Sequence, residues 1–224
     1  MNKLDADAIR QSLGELVSSR LAGLEAFPEI GSTNSYLMQQ AAPAPGQVHV
    51  VVTDNQTQGR GRHGRTWQSP PGSGLCLSLA YTFEQQPANL SALTLALGLG
   101  VIDALESLGV IGVQLKWPND LVAADGKLGG ILTETQARRT GEIRVVTGVG
   151  LTVDLGGGLD VGGETDWARQ VSDLAGFVAD VPRRDELAVR LIDCLGGTFL
   201  EYETGGFGRF IHKWPGRDWL LGRE

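Results

Sequence analysis

The densest chemical signal in the chain is Gln58-Gly59-Arg60-Gly61-Arg62-His63-Gly64-Arg65-Thr66-Trp67, where three arginines and a histidine fall within six positions. Arginine offers a planar fork of donors that matches carboxylate and phosphate oxygens, and interleaved glycines let backbone N–H groups approach the same ligand. The stretch suits a polyanion such as a triphosphate, with Trp67 able to stack on a purine. The other reading is a solvated basic loop followed by a core tryptophan. Gly59, Gly61 and Gly64 also satisfy G-x-G-x-x-G, but a dinucleotide site needs a helix directly after it. Residues 68–74, Gln-Ser-Pro-Pro-Gly-Ser-Gly, cannot form one. No P-loop pattern is present.

Further candidates lie on either side. Ser32-Thr33-Asn34 and Gln56 carry donors and acceptors for a small polar group, although the first three also read as a helix N-cap. Lys116 and Lys127 flank Asn119 and Asp120; taken singly, each is an ordinary surface lysine. Gly129 and Gly130 lie in a strand-like run, where glycine marks either a close approach by a ligand or a β-bulge. His49, His63 and His212 have no serine, aspartate or metal spacing, so no covalent nucleophile is expected. Cys76 and Cys194 sit in apolar contexts, far apart and without CxxC spacing, and read as buried reduced thiols.

The elements that must hold these residues follow from hydrophobic spacing. Ile9, Leu13, Leu16, Val17 and Leu21 predict an amphipathic helix over 5–22, and a second helix is expected over 35–42, stopping at Pro43. Strands are predicted over 48–53, 75–83 and 113–117, with Pro118 favouring an extended Trp117. A turn at Ala124-Asp125-Gly126 leads into a hairpin of 127–135 and 142–149 across Arg139-Thr140-Gly141. Residues 91–108 read as a buried helix, 155–163 as a glycine-rich loop and 184–202 as the last helix.

Composition bounds the function. The 224 residues are 42% apolar and 20% charged, ordinary globular usage that argues against disorder, and no uninterrupted apolar run reaches the roughly 18 residues of a membrane span. The start of the chain lacks a signal-peptide pattern, so cytoplasmic residence is expected, without a membrane partner. A net charge of −7 opposes nucleic-acid binding as the main activity, so any anion site must be local.

Taken together and in order, five blocks carry a resemblance: Ser32-Thr33-Asn34, Gln56, the Gly59 to Trp67 loop, Lys116-Trp117-Pro118-Asn119-Asp120 and Lys127-Leu128-Gly129-Gly130-Ile131-Leu132. They resemble the catalytic domain of biotin protein ligases, whose loop reads GRGRxGRxW. The resemblance implies an α+β fold, a mixed β-sheet backed by helices and akin to the class II aminoacyl-tRNA synthetase core. It implies one catalytic domain over 1–224, with an N-terminal helix in 1–24, a ligase core in 25–214 and a stub at 215–224 leading toward a small β-barrel.

It also implies an activity. A carboxylate is a poor electrophile, so ATP with Mg2+ would convert biotin to biotinyl-5′-AMP before transfer to a lysine of a biotin carboxyl carrier protein domain. By resemblance, Arg62, Lys127 and Lys116 are catalytic. Ser32, Thr33, Asn34, Gln56, Gly59, Arg60, Gly61, Arg62, Lys127, Gly129 and Gly130 would bind biotin. Arg62, Arg65, Trp67, Lys116, Asn119, Asp120, Lys127 and Thr152 would bind ATP, with Asp120 meeting the metal through the phosphates.

The pattern departs from the family in three places. Gly148-Val149-Gly150-Leu151 is followed by Thr152 where the family commonly has asparagine, which shortens the reach of that side chain. The resemblance is expected to stop short of the family's β-barrel and of the helix-turn-helix module of repressor members, an expectation that goes with the one of no nucleic-acid binding. Two alternatives stay open: a protein that binds biotin or its adenylate with weak transfer, and a lipoate or octanoate ligase or transferase on the same scaffold. Relatives often form homodimers by joining sheets edge to edge. With no apolar anchor before Trp67, the arginine-glycine loop is expected to be disordered without ligand.

Overall fold

The computed structural model describes residues 4–68, 70–139, 141–156 and 171–223. The chain opens with two short helices, α1 (Ala6–Ser12) and α2 (Glu15–Ser18), and then β1 (Leu21–Phe27). The single helix predicted over 5–22 is thus divided. Its apolar spacing is real, since Ile9, Leu13 and Val17 are buried, but Leu13 turns extended and the Gly14 N–H bonds to Asp193 at 3.0 Å. Leu16 is 54% exposed and Leu21 belongs to the strand, so tertiary docking rather than helical periodicity sets the break.

α3 (Thr33–Gln39) begins two residues earlier than expected because Ser32 is its N-cap, its hydroxyl accepting from Ser35 N–H. β2 (Val48–Thr53) and β3 (Gly74–Phe83) agree with the sequence reading, as does α4 (Leu93–Ser107). β4 (Gln114–Lys116) is followed by β5 (Asp120–Ala123), which apolar spacing did not reveal. The β5 strand returns through Ala124 and Asp125, both at positive φ, as a two-residue hairpin requires. The long hairpin is β6 (Gly126–Ala137) and β7 (Ile143–Thr152); α5 (Leu174–Phe177) and α6 (Arg184–Gly205) follow. Of the loop expected over 155–163, residues 157–163 lie outside the described residues.

One seven-stranded sheet runs β1-β2-β3-β7-β6-β5-β4. β1 and β2 are parallel and every other pair is antiparallel, so the sheet is mixed, as the α+β reading expects. Side-chain alternation assigns the two faces. Val48, Val50, Leu77, Leu79, Tyr81, Val145 and Val149 point toward α1, α4 and α6 in the main core. Their neighbours Val51, Ala80 and Val146 meet Leu37 of α3 on the opposite face.

By length and composition Leu90–Ser107 could cross a membrane, with a mean hydropathy of 1.5. Here it is the core helix: Leu93, Leu97, Leu99, Val101, Ile102 and Leu105 are all fully buried, and α4 packs on α6.

The C-terminal segment packs against the sheet. Leu115 N–H donates to Arg217 C=O at 2.8 Å and Trp219 N–H to Leu115 C=O at 3.1 Å, which covers the outer edge of β4. Arg217 also reaches Asp103 and Glu106 of α4.

Candidate functional site

The face of the sheet that carries α3 also carries the site. Alternation on β6 and β7 brings Gly130, Leu132, Gly148 and Thr152 to the floor of a cavity of about 710 Å³. Arg62, Arg65 and Trp67 from the loop, and Lys116, Asn119, Asp120 and Lys127 from the far edge of the sheet, supply the walls. Four cationic residues from three separate stretches of chain thus share one space, in a molecule that is acidic overall.

Within it, Lys127 Nζ lies 2.7 Å from Asp120 Oδ1. Burial pushes the Lys116 ammonium below the ordinary lysine range, Asp120 opposes that shift, and Lys127 adds to it. Lys116 Nζ also sits 5.0 Å over the Trp219 ring, a partner invisible to sequence spacing. Asn119 uses its amide to donate to Ile131 C=O at 2.9 Å and to accept from Arg62 Nη1 at 3.3 Å. It is therefore in place to orient Arg62 as well as to face a ligand. The Trp117–Pro118 peptide at this point is cis.

The loop is closed by backbone bonds. Trp67 N–H donates to Gly59 C=O, Gly61 N–H to Arg65 C=O, and Arg60 bridges Thr66. Gly59 is required at the base: a Cβ there would strike the Trp67 carbonyl oxygen. These bonds supply an anchor that the apolar pattern before Trp67 lacks.

Ser32, Thr33, Asn34 and Gln56 do not line the large cavity. They surround a crevice of about 30 Å³ that shares Trp67 and Gly148 with it. Trp67 stands at the junction, its indole resting on Gly150, where a Cβ would come within 2.6 Å of the ring. The crevice is polar and tightly bonded. Thr33 N–H donates to Gln56 Oε1 at 2.9 Å, and the Thr33 hydroxyl lies 3.1 Å from the same oxygen. Ser78 Oγ lies 2.6 Å from both Thr33 Oγ1 and Asn34 Oδ1. Two hydroxyl protons cannot serve three oxygen–oxygen contacts, so the cluster retains acceptor capacity for an external N–H donor.

Gly129 and Gly130, read together from sequence, face opposite ways. Gly130 lines the cavity, whereas a Cβ on Gly129 would strike Gly150 C=O, Leu151 and Leu121. Gly129 thus serves sheet packing and not a ligand. Strand alternation is enough to separate the two; the register shift, in which Leu121 pairs Gly129 while Val122 pairs Lys127, leaves a bulge at Leu128 just before them. Gly59 and Arg60 also lie outside the cavity lining, whereas Gly61 is part of it.

Two residues went unmarked in the sequence. Ser78 is a hydroxyl in the middle of the apolar run Leu75 to Ala80 of a buried strand, and Glu134 shares the alternation of Gly130 and Leu132; those two patterns were the available signals. Among the described residues no group of three or more His, Cys, Asp or Glu side chains could hold a metal by itself.

A mixed sheet carrying a glycine-arginine loop over a cationic cavity defines a class that comparison with known proteins identifies. Residues 26–151, more than half of the chain, match the Biotin/lipoate A/B protein ligase family, and the chain belongs to it. It is 32% identical over 220 residues to the bifunctional ligase/repressor BirA of Salmonella typhimurium, covering 98% of this chain and 65% of that protein. It is 36% identical over 162 residues to the biotin acetyl-CoA-carboxylase ligase of Mycobacterium tuberculosis, covering 66% of this chain and 59% of that protein. The chain therefore spans just under two thirds of the length of these relatives. The structure of biotin protein ligase from Aquifex aeolicus in complex with biotin and ATP superposes with a TM-score of 0.71 at 27% identity, covering 90% of this chain and 80% of that one.

Proposed function

We propose that the chain activates biotin with ATP and transfers the biotinyl group to a lysine of a carboxyl carrier protein domain. The observation that carries this reading is the convergence of Arg62, Arg65, Lys116 and Lys127 on one cavity. Bringing a carboxylate to an α-phosphate forces two anions together, and fixed positive charge offsets that repulsion at the point where charge accumulates. The carboxylate oxygen bonds to the α-phosphorus and pyrophosphate leaves. The lysine amine of the carrier then attacks the acyl carbon and AMP leaves, with proximity supplying much of the acceleration.

A cavity of about 710 Å³ falls in the usual range for a ligand of this size. The ureido ring of biotin brings N–H donors, which suit the acceptor-rich cluster of Thr33, Asn34, Gln56 and Ser78. For one ligand to fill both spaces, the Trp67 indole must shift from Gly150.

Magnesium, when bound, would neutralise phosphate charge. Asp120 is the one carboxylate among the described lining residues, which fits a metal held largely by substrate oxygens. The free thiols of Cys76 and Cys194 support cytoplasmic residence. The β6 edge beyond Gly130, left unpaired by β5, supports a homodimer joined through sheet edges.

The test is direct. The purified chain with radiolabelled biotin, ATP and magnesium should release pyrophosphate and form a labelled adenylate, and added carrier domain should take the label. Lys127→Ala and Arg62→Ala should each slow adenylate formation by about 100-fold or more. Rates equal to wild type would show that these side chains do not perform the activation. Equal turnover of lipoate would move the assignment to the sister activity.

A further inference from the structure

Glu134 has no part in the activation chemistry above, yet it stands where the loop meets the sheet. Its Oε2 accepts from Asn34 Nδ2 at 2.9 Å, and the same oxygen accepts from Arg60 Nη2. Asn34 is buried and continues through Ser78 to Thr33 and Gln56. One carboxylate thus joins the loop to the hydrogen-bonded cluster of the crevice. Among the described residues, the other side-chain hydrogen bond from the arginines of the 59–67 hairpin is the longer contact of Arg62 with Asn119, in the turn between β4 and β5.

We propose that Glu134 is a positioning residue, a latch that fastens the loop over the cavity through Arg60 and slows escape of the bound adenylate. The ligand in this statement rests on the ligase reading; the latch itself rests on the Arg60, Glu134 and Asn34 contacts. Releasing Arg60 frees the hairpin that carries Arg62, Arg65 and Trp67 into the cavity wall. Arg60 and Glu134 are 44% and 27% exposed, so solvent weakens the pair and the expected effect is moderate, about fivefold.

The experiment compares wild type with Glu134→Ala, Glu134→Gln, Arg60→Ala and the Glu134→Ala/Arg60→Ala double variant. Two quantities are read: the release rate of labelled adenylate from preloaded protein, and tryptic cleavage after Arg62 and Arg65 in the chain alone. Glu134→Ala should release adenylate about fivefold faster and be cut faster, with Glu134→Gln between it and wild type, since the amide keeps an acceptor and loses the charge. The double variant should be no faster than Arg60→Ala, because both changes remove one shared interaction; damage elsewhere in the fold would add to it. Release and cleavage of Glu134→Ala within about twofold of wild type, or additive effects in the double variant, would overturn the latch. Should wild type form no adenylate, the ligase reading fails by itself, and the tryptic comparison alone decides the latch.

Discussion

Lys116 shows how burial and neighbouring charge act together on one side chain of the cavity. Its ammonium is partly withdrawn from water, which lowers its pKa from the ordinary 10.5 more than neighbouring Asp120 restores it. The side chain is cationic below the folded-state pKa and neutral above it, so the cavity loses a charge at lower pH than a free lysine would. The alkaline limb of pyrophosphate release should therefore fall below 10.5, and Lys116→Arg, which stays charged, should move that limb upward. A limb unmoved by the substitution would remove Lys116 from the activation step. The linked stability effect has a defined sign. The folded state binds fewer protons than the unfolded chain between the lowered pKa and 10.5, so stability rises with pH across that window, and denaturant midpoints should show it.

Among the elements, α3 and β3 depend on each other through Ser78. Its hydroxyl is fully buried at 2.6 Å from Thr33 and Asn34, which hold the first turn of α3 against the sheet. Ser78→Ala keeps the volume nearly constant but takes a partner from two buried oxygens, which should cost about 1–3 kcal/mol. Thermal unfolding should fall by about 2–4 °C for each of those kcal/mol, and biotin affinity should weaken in parallel. A variant as stable as wild type would mean that water replaces the hydroxyl. The loop arginines act at this scale too: Arg62 reaches the cavity only because the Gly59 to Trp67 hairpin closes on itself. Limited proteolysis with and without biotin and ATP would measure how far that closure persists without ligand.

Across the whole molecule, the C-terminal segment completes the edge of the sheet beside the cavity. Arg217 contacts Asp103 and Glu106 at 2.7 and 2.6 Å, its backbone accepts from Leu115, and Trp219 lies under Lys116. Arg217 is 19% exposed, so its charge-assisted bonds are screened less than surface pairs. Arg217→Ala should cost roughly 1–2 kcal/mol by chemical denaturation and raise KM for ATP more than KM for biotin, since the segment borders Lys116 and not the crevice. Equal changes in both constants would point to general loosening instead.

Local pattern was enough for much of this. Apolar runs in 48–53 and 75–83 marked central strands because a strand buried on both faces needs such residues whatever it pairs with, and Gly141 with the flanking runs marked the β6–β7 hairpin, whose pairing is local. The arginines of the loop stood out because cations clustered between glycines suit anions, whereas Lys116, Lys127 and the amides were singled out only by their place in the five blocks of the resemblance. β1 and β5 were not legible, since β1 buries only Leu24 among its seven residues and β5 has only four, and each takes strand form beside β2 or β6. Glu134 meets Arg60 across 74 positions and Asn34 across 100, and no spacing rule reaches that far. Which face of the sheet Gly130 meets, and the bulge at Leu128 just before it, are set by pairing with β7 and β5. Residue chemistry and short-range periodicity are properties of the sequence. Which atoms end up within hydrogen-bonding distance depends on strand order and register, and only the folded sheet decides those.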